Sequence, residues 1–139
     1  MKRTEPYLIF DGNARQAMKF YQECLGGELY LLPFSEMPPG IPFPKEAKDR
    51  VMHSKLVKGD TVLMASDTMP GMPFQQGNNF SISIECDSVE EIDRLFAALA
   101  MGGKVTMALQ QTFWSKRFGM FTDRFGANWM LGVENAEKV

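Results

Sequence analysis

Few side chains in this sequence could do chemistry. His53 is the single histidine. An imidazole gains or loses its proton near neutral pH, so His53 is a candidate general base facing a pocket. A base needs a group to act on and often an orienting partner, and the sequence names neither. The competing reading is an ordinary strand histidine, partly exposed. Trp114, Lys116, Arg117 and Phe118 form an aromatic and cationic cluster. At a pocket edge, Arg117 would pair an anionic ligand bidentately while Trp114 stacks on it. On the alternative reading the cluster is an edge segment packed on a sheet, with Lys116 and Arg117 in water. Asp67 and Asp123 stand at expected turns and read as turn residues rather than catalysts.

Sulfur is the other notable resource. Met52, Met64, Met69, Met72, Met107, Met120 and Met130 are among eleven methionines. Thioethers make an adaptable apolar wall, and they also fill cores. Cys24 and Cys86 lie in periodic segments with no CxxC, so they read as buried free thiols. Two isolated cysteines and one histidine make no recognisable zinc site, and neither a metal nor a cofactor is expected.

The elements that must hold these residues repeat. At an offset of 76, Asp11 meets Asp87, Phe20 meets Phe96, Gly26-Gly27 meets Gly102-Gly103 and Leu29 meets Val105. Ala14, Met18, Tyr21 and Leu25 trace one helix face, as do Val89, Ile92, Phe96 and Leu99. Asn13 with Gln16 and Ser88 with Glu91 stand as capping pairs, and each Gly-Gly pair stops its helix. Strands are expected before the helices at Tyr7 to Phe10 and Phe80 to Cys86. Ser81 and Ser83 alternate there with apolar neighbours, as on a strand with one buried face. Further strands are expected after the helices at Glu28 to Leu32 and Lys104 to Ala108. Hairpins follow, Val51 to Val57 with Thr61 to Ser66, and Phe118 to Thr122 with Ala127 to Val133. The order is β-α-β-β-β, twice. All eight prolines avoid the proposed helices and central strands. The reading is one α+β domain over 1–139, with module one at 1–67, a linker rich in Met, Gly, Pro and Gln at 68–79, and module two at 80–139. The loop Phe34 to Asp49 is long enough to be a lid or a plain surface excursion.

Composition narrows the function. With 139 residues, 45% of them hydrophobic and 23% charged, the chain suits a single globular domain that needs no disulfide. Its net charge of −2 supplies no basic field for nucleic acid or anionic lipid. The apolar run before Asp11 is too short for a signal-peptide core, and no stretch could span a membrane. A cytoplasmic protein with reduced thiols is expected.

The duplicated pattern resembles the vicinal oxygen chelate superfamily, which joins glyoxalases, bleomycin-resistance proteins and dioxygenases, and within it the PhnB-like branch. The residues that carry the likeness are Tyr7 to Asn13, Phe20-Tyr21, Gly26-Gly27-Glu28, Gly77 to Ser81, Gly102 to Val105, Thr112-Phe113-Trp114, Arg117 to Met120 and Asp123 to Trp129. The resemblance covers nearly the whole chain. It implies two βαβββ modules whose mixed sheet curls round a pocket, and a homodimer. Superfamily metalloenzymes take one metal ligand from the first strand and one from the last strand of each module. By resemblance those positions fall on Pro6, Met64, Ile82 (or Ser81) and Met130, none a ligand for zinc, nickel or iron.

The expectation is therefore a pocket that binds a small organic molecule without the superfamily metal. Its expected contacts are His53, Met64, Phe80, Trp114, Arg117, Phe118, Trp129 and Met130. The alternative is a metal-dependent lyase, isomerase or dioxygenase using unusual ligands. Some PhnB-like chains carry a demethylubiquinone methyltransferase label, but no Gly-rich first loop of a Rossmann-like sheet is present here. A purely structural module would instead predict a filled pocket and a large apolar surface patch.

Overall fold

The computed structural model describes residues 1–135; the last four residues of the expected module two lie outside the described residues. Two βαβββ modules follow one another, each with its own open four-stranded sheet and one long helix. The compact units part between Gln75 and Gln76, within the 68–79 segment.

Module one contains β1 (Tyr7–Phe10), α1 (Ala14–Leu25), β2 (Glu28–Pro33), β3 (Val51–Lys58) and β4 (Thr61–Asp67). Its sheet runs β1-β4-β3-β2, with β1 parallel to β4 and the other pairs antiparallel. Ala14, Ala17, Met18, Tyr21 and Cys24 are the buried stripe of α1. They share the core with Phe10, Leu56, Leu63 and Ala65 on one face of the sheet. Two short 3-10 turns, Phe34–Glu36 and Lys45–Ala47, shape the long loop before β3. Phe34 is buried there and lies 5.8 Å from the Phe43 ring.

The start of α1 departs from expectation. Asn13 makes no capping bond through its side chain. The buried Asp67 carboxylate, at the end of β4, does that work from a distance in sequence. Its Oδ1 accepts from the N–H groups of Gly12 (2.9 Å) and Ala14 (3.0 Å), and its Oδ2 from Val51 N–H at 2.9 Å. One carboxylate therefore ties the helix entry to the first residue of β3. A helix N-terminus carries partial positive charge, which favours an anion at this point. Beside it, the Arg50 guanidinium donates to Asp11 Oδ1 (3.0 Å) and to the Thr68 carbonyl (2.9 Å).

Module two contains β5 (Ile82–Cys86), α2 (Val89–Ala100), β6 (Lys104–Gln110), β7 (Ser115–Thr122) and β8 (Asn128–Glu134), in sheet order β5-β8-β7-β6. β5 starts two residues later than the alternation predicts. Its parallel partner β8 begins at Asn128, so Phe80 has no strand residue opposite it. Ser88 caps α2 as expected, accepting from Glu91 N–H at 3.1 Å, while Glu91 Oε1 accepts from Asp87 N–H. The buried stripe of α2 is Ile92, Leu95, Phe96 and Leu99; Val89 is exposed. Phe96 lies edge-on to Phe121 at 5.0 Å, and Phe121 stacks on Trp129 at 6.3 Å. Asp123 organises the β7–β8 turn. Its Oδ1 accepts from Phe125 and Ala127 N–H, and its Oδ2 from the Trp129 indole at 2.8 Å.

The second glycine of each Gly-Gly pair has a role beyond stopping a helix. A Cβ on Gly27 would stand 2.4 Å from the Val57 carbonyl oxygen, and one on Gly103 would stand 2.2 Å from that of Thr122. Both chains pass too close to a strand backbone for any side chain.

Two outcomes are expected. Asp67→Ala leaves three backbone donors without their anionic acceptor, and urea unfolding should show a loss of about 3 kcal/mol. The Arg50 guanidinium, and then the Thr68 hydroxyl, hold the Asp11 carboxyl below its ordinary value of 3.8. Stability from that interaction is complete above 3.8 and lost as pH falls through the lower folded value. Thermal melts between about pH 5 and pH 2 should therefore fall less steeply for Asp11→Asn than for the parent chain.

Candidate functional site

In each module the helix covers one face of the sheet and leaves the other face open. On the open face of module one, the ladder sets Tyr7 opposite Met64, Met64 opposite Lys55 and Lys55 opposite Tyr30. Tyr7 is 42% exposed. His53 stands on the same face, half-buried. The Tyr7 hydroxyl lies 2.9 Å from His53 Nδ1, and the two rings stack at 5.7 Å. The structure thus supplies the partner for His53 that the sequence did not name. Tyr30 donates to Glu28 Oε2 at 2.7 Å, and that bond raises the Tyr30 phenol above its ordinary value.

On the open face of module two, one row across the sheet reads Ser83, Met130, Met120, Met107. The next reads Glu85, Gly132, Phe118, Gln110. Gly132 contributes no side chain, so the second row has a notch between Glu85 and Phe118. There a cleft of about 300 Å³ opens, lined by Ser83, Ile84, Glu85, Trp114, Ser115, Phe118, Gly132 and Glu134. A β-bulge builds one of its walls. Ser115 pairs with Glu134 but Arg117 with Val133, so Lys116 is the extra residue. The buried Ser115 hydroxyl fixes the bulge. It lies within hydrogen-bond distance of the Val133 carbonyl (2.6 Å) and the Arg117 carbonyl (2.8 Å), and it accepts from Val133 N–H. The Trp114 ring, 40% exposed, stands edge-to-face with Phe118 at 5.5 Å and with Phe113 at 4.8 Å.

Of the expected contacts in module two, Trp114 and Phe118 meet in this cleft, and Met130 lies one row away. Arg117 lies on the helix side and pairs with Asp93 of α2. Trp129 is buried in the core with its indole on Asp123. Phe80 is 83% exposed ahead of β5 and does not line the cleft. His53 and Met64 share the open face of module one. Ser83, Glu85, Ser115, Gly132 and Glu134 were not singled out from sequence. The alternation in β5 marks the face of Ser83 and Glu85; nothing local marks the notch at Gly132.

Where the first and last strands of each module pair, the residue opposite Met64 is Tyr7, next to Pro6, and the residue opposite Met130 is Ser83, while Ile82 lies opposite the buried Trp129. Each module therefore offers a hydroxyl and a thioether where its first and last strands meet. This donor set does not fit zinc, nickel or iron, which take imidazole, carboxylate or thiolate ligands. Among the described residues, no three His, Cys, Asp or Glu side chains gather as a metal site. No described helix is long and apolar enough to cross a membrane.

Comparison with known proteins places this arrangement. The model of the Glyoxalase/Bleomycin resistance protein/Dioxygenase superfamily matches residues 3–131. The chain belongs to that superfamily. Within the superfamily it is 39% identical to Protein YjdN of Escherichia coli over 141 residues, covering 92% of each chain. The crystal structure of PA1353 from Pseudomonas aeruginosa is 48% identical and superposes with a TM-score of 0.88, covering 96% of this chain and 98% of that one. A PhnB protein from Bacillus cereus is 28% identical with a TM-score of 0.76, over 95% and 99% of the two chains. The glyoxalase-like fold and the PhnB-like kinship agree with the duplicated sequence pattern.

Both cysteines are buried and outside any disulfide. Burial, and then the nearby Glu91 and Asp87 carboxylates, push the Cys86 thiol up to about 11. Iodoacetamide at about pH 8 should leave both cysteines unmodified in the native protein and alkylate both after unfolding in guanidinium, as mass spectrometry would record.

Proposed function

We propose that this chain is a small-molecule-binding protein of the glyoxalase/bleomycin-resistance type, cytoplasmic and homodimeric, whose pocket works without the superfamily's metal. The observation that carries this reading is the open face of the second sheet. It combines a row of three methionines with a notch walled by two aromatic rings and floored by a glycine. Concave apolar surface with a few polar groups is the usual form of a small-molecule site. The hydroxyl and thioether pairs at Tyr7–Met64 and Ser83–Met130 support a site without metal. Trp114, Phe118 and Met130 are the proposed contacts in module two, and His53 and Met64 those in module one. Pairing into a homodimer accords with the exposed Tyr7, Ile9 and Tyr30 on the open face of module one.

Acid–base turnover is a second reading, favoured by a single contact. The Tyr7 hydroxyl beside His53 Nδ1 gives the imidazole an orienting partner.

The deciding experiment is metal titration of the chelator-stripped protein. Calorimetry with zinc, nickel, manganese and ferrous iron should find no tight stoichiometric site. One such site would overturn the metal-free reading and put a lyase or dioxygenase with unusual ligands in its place.

A further inference from the structure

We propose that Met107, Met120 and Met130, on the open face of module two, form a binding site for a soft monovalent metal ion of the copper(I) class. The inference goes beyond the small-molecule reading and does not rest on it. The ladder sets Met130 opposite Met120 and Met120 opposite Met107, so three thioethers stand side by side on three neighbouring strands. Core filling does not account for them. The core of this sheet lies on its other face, at Gly119, Phe121, Trp129 and Leu131. All three methionines are half-buried on the face away from α2. Met18, on the buried stripe of α1, shows what a core methionine looks like, with no exposure at all.

The register of β6 completes the row. Val105 pairs with Phe121 and Met107 with Met120, so Thr106 is an extra residue. An unbroken ladder from Val105 would put Thr106 opposite Met120 and Met107 opposite Gly119, whose free side faces the Phe96 ring of α2. The irregularity instead brings a thioether onto the open face, and re-aiming a side chain is a usual effect of a bulge. Directly opposed residues on antiparallel strands hold their Cβ atoms roughly 4.5–5.5 Å apart. A methionine sulfur sits beyond Cβ on an unbranched, flexible chain. The outer two side chains can therefore lean over Met120, and three sulfurs can meet one ion without any backbone movement. Thioethers are soft, neutral donors of the kind that select copper(I), while magnesium and calcium take oxygen. No charged side chain stands in the row, whose fourth member is Ser83. In the adjoining row of Asn128, Thr122 and Lys104, the one cation is exposed at the sheet edge.

The first probe is silver(I), which shares the charge, filled d shell and sulfur preference of copper(I) but keeps its oxidation state in air. The full chain, labelled with carbon-13 at its methionine methyl groups, is titrated with silver nitrate in chloride-free buffer. The same titration on Cys24→Ala with Cys86→Ala removes both thiols as competing sulfur. The Met107, Met120 and Met130 methyl resonances are expected to move together and to saturate at one ion per chain, with Met18 and Met64 unmoved. Copper(I) under reducing, oxygen-free conditions should move the same three resonances, and excess zinc should displace neither ion. Met120→Leu conserves volume and should weaken silver binding by at least about tenfold, since even the outer partners of a metal cost that much when lost. The remaining methyl resonances report that the variant is folded. No shift at the three methyls, movement of only one of them, or shifts confined to other methionines would overturn the site. So would binding that survives Met120→Leu unweakened or that disappears with the cysteines. None of these outcomes bears on the metal-free reading of the pocket, which the titration with zinc, nickel, manganese and ferrous iron tests separately.

Discussion

Gly27 and Gly103 set the geometry on which the rest of each module depends. After each helix the chain must turn back beside its own sheet. It does so with the glycine backbone almost touching the carbonyl of a strand, Val57 in one module and Thr122 in the other. That close approach lets β2 and β6 begin immediately and pair with β3 and β7. The helix is thereby pressed onto one face of the sheet. Burial on that face is nearly complete, from Tyr21, Leu56 and Ala65 in module one to Trp129, Leu131 and Leu99 in module two. The opposite face is left for ligands or partners. A substituent on either glycine would move the helix return away from the sheet before any functional residue was touched.

Local chemistry was readable from the sequence where the partners are neighbours. The second helix is capped by Ser88 and Glu91, three residues apart, and the structure has that cap. The first helix is capped by Asp67, which the sequence places at a hairpin end. No periodicity connects Asp67 to Gly12, since only folding brings them together. The Gly-Gly pairs were visible as helix stops, while the nearby strand carbonyls that demand glycine were not.

The candidate site divides along the same line. Trp114 and Phe118 were legible as a pair, and they meet. Arg117 and Phe118 are adjacent in a strand, so they point to opposite faces, as do Trp129 and Met130. Grouping each of these pairs as joint ligand contacts ran against that alternation. The bulge at Lys116 has no compositional mark, because it depends on the buried Ser115 hydroxyl bridging two strands. The acidic side of the cleft was hidden for a similar reason. Glu85 and Glu134 lie far apart in sequence, and only the β5–β8–β7 pairing aligns them around Gly132.

The parallel pairing of β1 with β4, and of β5 with β8, also governs the order in which the chain can mature. Tyr7 waits for Met64, and Ile82 waits for Trp129. As the polypeptide leaves the ribosome, the β2–β3–β4 meander of module one and the β6–β7–β8 meander of module two can each zip together from their hairpins, but the opening strand has no ladder until the closing one has been made. Such long-range closure is entropically slow and comes late. Each module is therefore born with an unclaimed strand. The first can complete itself while the second is still being synthesised, and the second must wait for β8.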